Sequence, residues 1–101
     1  MKSIQWLEQA KEKIISEEGN CSDYKLAQRV GLSRQNMSKH RNLKSDTLED
    51  KPCILIAETL DIEPMIIISD QNLERAKTES DINFWKNVAQ KLKNAEECIL
   101  C

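Results

Sequence analysis

With 101 residues the chain is about one domain long, enough for a single modest core and too short for a substrate domain beside it. Two glycines, two prolines and 32% charged residues, with abundant Leu, Ile, Ala, Lys and Glu, favour helices joined by short connections, so an all-α fold is expected. A net charge of -2 speaks at first against a polyanionic partner, because binding to nucleic acid draws on Lys and Arg contacts to phosphate.

The distribution of charge reverses that impression. Residues 23–45 carry six Lys or Arg against Asp23 alone, whereas residues 46–101 carry six basic against twelve acidic groups. One basic face in an otherwise acidic chain suits a molecule that meets DNA on one side only. No run of about 18 apolar residues and no apolar signal core at Met1–Trp6 appears, which predicts a cytoplasmic protein with no membrane partner. In that compartment Cys21, Cys53, Cys98 and Cys101 read as free thiols.

In chain order, Ile4, Leu7, Ala10, Ile14 and Ile15 recur at helical spacing, giving a first helix from Ile4 to Glu18 with Gly19-Asn20 as its stop and Trp6 as packing beside the stripe. Ser22 or Asp23 caps a second helix whose inner side is Leu26, Ala27 and Val30. Gly31 ends it, and after Gly31-Leu32-Ser33 a third helix runs from the Ser33 cap to Arg41. A fourth helix starts near Asp50 or Lys51, with Pro52 in its first turn, and ends near Leu60. Met65-Ile66-Ile67-Ile68 favours a strand locally, but nothing elsewhere pairs with it, so a helix from Pro64 to Lys77 is expected. Ser80 is placed as the cap of a last helix with Ile82, Trp85, Ala89 and Leu92 on one face, widened by Phe84 and Val88. That face serves either a homodimer interface or packing within the chain; in the first case Trp85→Ala yields monomers.

The segment Asp23–Arg41 carries the functional signal. Ala27 is small where two helices approach, and Gly31 supplies the positive φ that a three-residue turn between crossed helices demands. Leu26, Val30, Leu32 and Met37 fill the space between them. The other side of the third helix offers Arg34, Gln35, Ser38, Lys39 and Arg41, donors without a carboxylate among them, as phosphates and base edges require.

Leu26-Ala27-Gln28, Val30-Gly31 and Met37 resemble the helix-turn-helix of the lambdoid phage repressor and Cro family over about 20 residues. More loosely, the chain is similar to small repressor-like proteins of filamentous phages and prophages, with Glu74-Arg75-Ala76-Lys77 and Trp85 in a helical extension. The resemblance implies an all-α, lambda-repressor-like chain of five to six helices, with the DNA-binding domain over residues 1–63 and a helical extension over 64–101, and a regulator of phage or prophage genes, a repressor in the first place, that grips a palindromic operator in double-stranded DNA as a dimer. It also implies base contacts from Arg34, Gln35 and Lys39, with Asn36 as a supplement, and backbone contacts from Ser22, Tyr24, Lys25, Gln28, Ser33, Ser38 and Arg41. The loop residues Asn42, Lys44 and Ser45 are placed at a flanking phosphate. At His40 the family usually has an apolar residue, so a partly exposed ring is expected, packed or bonded to backbone rather than acting as a pH sensor or metal ligand.

Cys98 and Cys101 lie one helical turn apart, but a zinc site needs more ligands than the scattered Cys21, Cys53 and His40 supply, so neither metal nor cofactor is expected. One histidine, no glycine-rich phosphate loop and no nucleophile elbow argue against an enzyme. The competing class is an antitoxin or anti-repressor, an interaction module whose acidic C-terminal half holds a protein partner.

Overall fold

The computed structural model describes residues 1–45 and 47–100, with side chains through Asn94. It is all-helical: α1 (Ser3–Glu18), α2 (Asp23–Val30), α3 (Arg34–Arg41), α4 (Asp50–Leu60), α5 (Pro64–Arg75) and α6 (Glu79–Leu100), without a strand among the described residues. None of these helices is long and apolar enough to cross a membrane.

Local signals set the boundaries. Gln5 Oε1 accepts the Lys2 N–H at 2.7 Å at the start of α1, and Gly19, at φ 89°, closes it by donating to the Ile15 carbonyl. Pro64 sits in the first turn of α5, where a missing N–H costs nothing. The Met65–Ile68 run is helical because Ile67 is fully buried while Met65 stays exposed, a pattern that period two would not produce. Two expected ends move. α5 stops at Arg75, two residues before Lys77. α6 starts from Thr78 rather than Ser80: Thr78 Oγ1 accepts the Asp81 N–H at 3.2 Å and its carbonyl accepts from Ile82.

One apolar cluster unites α1 to α5: Leu7, Ala10 and Ile14 from α1, Leu26 and Val30 from α2, Met37 from α3, Leu48 from the following loop, Cys53 and Ile56 from α4, and Ile67 from α5. Polar bonds reinforce the α5 side. Gln71, fully buried, accepts from the Leu48 N–H at 2.9 Å and donates to the Met1 carbonyl, while Trp6 Nε1 donates to Asp70 at 2.8 Å. The boundary expected at residues 63/64 therefore falls between two helices, α4 and α5, that share one core. α6 stands outside it. It packs on α5, and none of its described side chains belongs to the central cluster.

Candidate nucleic-acid interface

Helices α2 and α3 are eight residues each, too short to persist alone, so their caps and contacts fix them. Ser22 Oγ accepts the Lys25 N–H and Ser33 Oγ the Asn36 N–H, each at 3.1 Å. Between them Gly31 takes φ 72°, and the Leu32 N–H returns to the Ala27 carbonyl at 2.9 Å. A Cβ on Gly31 would come within 2.8 Å of Leu55 Cδ1, so both the backbone conformation and the closeness of α4 select glycine.

α3 turns Met37 and His40 inward, 4% exposed each. At 100° per residue the remaining positions Arg34, Ser38, Gln35, Lys39 and Asn36 sweep an outward arc of about 200°, and all five are exposed. Among the described residues, none hydrogen-bonds the side chains of Arg34, Gln35, Asn36 or Lys39. The three donor side chains assigned to base edges thus share one face, unspent and unaccompanied by a carboxylate on their helix.

The six cations of residues 23–45 divide in two. Lys25 and Arg29 both pair with Glu18, at 3.1 and 2.7 Å, and their hydrogen bonds hold the Glu18 carboxyl below its ordinary range. Arg41 grips both oxygens of Asp23, Nε at 3.0 Å and Nη2 at 2.7 Å, and also bonds Glu8. Lys11 reaches Asp23 from α1 at 3.2 Å. Hydrogen bonding to Arg41 depresses the Asp23 pKa, and the same bond to Asp23 raises that of the guanidinium. Arg34, Lys39 and Lys44 form no ion pair among the described residues. The free positive charge of the basic block is therefore concentrated on α3 and the loop after it. Arg41, expected at the DNA backbone, is instead tied to α1 and α2 in a half-buried network.

His40 is packed and bonded to backbone as expected, but it is buried where partial exposure was expected. Its ring is buried, with Nδ1 2.7 Å from Ser3 Oγ and 3.3 Å from the Ser45 carbonyl. Protonation at Nδ1 satisfies the group in sequence, the ring donating to Ser3 Oγ and that hydroxyl to the Ser45 carbonyl, 3.3 Å away. Burial pushes the imidazole pKa below 6.5, partly offset by Ser45. The ring occupies the place of an apolar residue because α1 brings Ser3 over it, a proximity that no local spacing reveals.

The expected backbone-contact hydroxyls remain serviceable. Ser22, Ser33 and Ser38 accept bonds from within the protein, Ser38 from Asn42 Nδ2 at 3.2 Å, and Tyr24 Oη, 68% exposed at the residue level, accepts from Gln28 at 2.9 Å. Each leaves its own O–H free to donate. Tyr24, Gln28, Arg34, Ser38 and Asn42 line an open cleft of about 470 Å³ between α2 and α3. A second cleft, of about 190 Å³, joins Asn36 and Lys39 of α3 to Glu49 and Lys51 at the start of α4. Lys51 was not foreseen. It stands beside α3 only because α4 folds back against the Gly31 turn, where its Cε lies 3.8 Å from a Cβ built at that glycine.

The four residues considered for a dimer interface are only half-buried within the chain. Ala89 and Leu92 line a cleft with Trp6, Ile66, Asp70 and Leu73, and Ile82 and Trp85 continue the same stripe toward the N-terminus of α6. Of the cysteines, Cys21 and Cys53 are buried free thiols, and burial pushes the Cys53 pKa up to about 11. Cys98 and Cys101 lie outside the residues whose side chains are described. No group of three or more His, Cys, Asp or Glu suited to a metal occurs among the described residues.

No family model, no curated protein and no solved structure matches this chain.

Proposed function

We propose that the chain is a sequence-specific DNA-binding transcriptional regulator that inserts α3 into the major groove as a homodimer, with α2, α3 and the turn between them acting as a helix-turn-helix. The observation that carries this reading is the outward face of α3, where Arg34, Gln35, Asn36 and Lys39 are exposed and, among the described residues, free of internal hydrogen bonds. Unbonded donors on a rigidly capped helix lose little on meeting base edges, and an α-helix fits the major groove. Arg34 suits guanine O6 and N7, and Gln35 adenine N6 and N7, as bidentate pairs. Lys44 and the O–H groups of Ser22, Ser33 and Tyr24 supply phosphate contacts that set register. The resemblance of Leu26–Met37 to phage repressors supports a role at phage or prophage operators.

Selection of bound duplexes from random DNA tests the proposal directly. A recurrent motif is expected, and Arg34→Ala should weaken binding to it by about 1–3 kcal/mol while relaxing preference at one base pair. An equal loss on the selected duplex and on random DNA would remove Arg34 from base reading; failure to enrich any motif would overturn the function.

A further inference from the structure

Ala89 and Leu92 of the α6 stripe line a cleft with Ile66, Asp70 and Leu73 of α5, so part of that stripe faces its own chain and a dimer can draw on the adjoining surface of the helix. Phe84 is 58% exposed, its ring set edge-on to Trp85 with centroids 5.1 Å apart. One turn on, at the same face, stands half-buried Val88, and the pair is bracketed by exposed Asp81 and Lys91. Positions 81, 84, 88 and 91 follow the three-four spacing of a helical seam, acidic at one end, basic at the other and apolar between.

That order is complementary to itself when reversed. We propose that α6 pairs with α6 of a second copy of this chain, antiparallel about a two-fold axis level with residue 86. Phe84 then meets Val88 of the other copy, and Asp81 meets Lys91, each contact occurring twice as an isologous interface requires. Lys86 lies on the opposite side of the helix, so no like charges face one another at the axis. Two Phe84 rings leave water, and the charges set direction: a parallel arrangement would oppose Asp81 to Asp81 and Lys91 to Lys91. The proposal rests on the dimeric part of the reading above and not on DNA recognition.

Sedimentation of the full chain without DNA provides the test. The native protein should be a dimer at micromolar concentration, and Phe84→Ala should raise the dimer dissociation constant at least tenfold with helical circular dichroism unchanged, since the residue lies outside the core. Asp81→Lys alone and Lys91→Asp alone should each weaken the dimer several-fold, and the two together should restore it. A monomeric native protein overturns the proposal, as does a Phe84→Ala protein that dimerises normally; failure of the double charge exchange to recover association overturns the antiparallel register. Because no DNA is present, none of these outcomes bears on base reading by α3.

Discussion

The two ends of the molecule solve the same problem, how to hold a helix, in opposite ways. α3 has eight residues and is gripped from several directions: Met37 in the core, His40 bonded under Ser3 of α1, and Arg41 tied to Asp23 of α2 and Glu8 of α1. α6 has 22 residues, about 33 Å of helix, and lies on the 12 residues of α5, about 18 Å, with none of its described side chains fully buried. A helix that must present side chains at fixed angles is held by short-range constraints on several faces. One that has apolar surface left over is free to give it to a partner.

The largest expected effect follows from that contrast. Leu26→Ala, in the fully buried layer beneath the α2–α3 pair, should lower unfolding stability by about 2–5 kcal/mol, because it opens a cavity between helices that cannot collapse onto it. Leu92→Ala removes the same atoms from a half-buried site and should cost about 1 kcal/mol. Urea titration followed by circular dichroism measures both, and equal losses would mean that α6 is as firmly seated as the core.

The helices themselves were legible because their signals are local. Ser22, Ser33, Gly19, Gly31 and Pro64 act where they stand, and the apolar stripes recur within each segment, so five of six helices begin within a residue of expectation and the outward set on α3 follows from Met37 alone. What escaped depends on elements meeting in space. Ser3 and Ser45 converge on His40 from 37 and five positions away, Gln71 links α5 to Leu48 across 23, and Lys51 reaches α3 through the fold-back of α4. Arg41 shows the same limit in charge. Counted in sequence it belongs to the basic face, but Asp23 and Glu8 lie close enough to claim it. The cap of α6 is Thr78 and not Ser80, because either hydroxyl precedes the apolar stripe and only backbone geometry distinguishes them.

A subtler effect tests the grip on His40. Its folded pKa is depressed below 6.5, so the neutral ring is the form the fold accommodates. Stability is then whole above the unfolded value near 6.5 and is lost as pH falls through the folded value, because the unfolded chain takes up a proton that the native one refuses. His40→Asn, which keeps a polar group toward Ser3 without an ionisable ring, should flatten the dependence of unfolding free energy on pH between 7 and the onset of carboxylate titration. An unchanged slope in that variant would show that the ring is hydrated and already titrates freely.

The smallest effects separate the two kinds of cation on the candidate interface. Lys44 is exposed and forms no ion pair among the described residues, so Lys44→Ala should weaken selected and random duplexes alike and reduce the slope of log affinity against log salt by about 0.9, the share of one phosphate contact. Arg41→Ala removes a guanidinium already matched by two carboxylates and should leave that slope nearly intact. Its cost appears in the fold, about 1 kcal/mol for a partly exposed pair. The part contributed through Asp23, whose pKa Arg41 depresses, is present above the ordinary carboxyl value near 3.8 and disappears as pH falls through the lowered one. Equal changes in salt slope for the two variants would mean that Arg41 abandons Asp23 and Glu8 for phosphate on binding, exchanging α3's tether to α1 and α2 for a contact with the duplex.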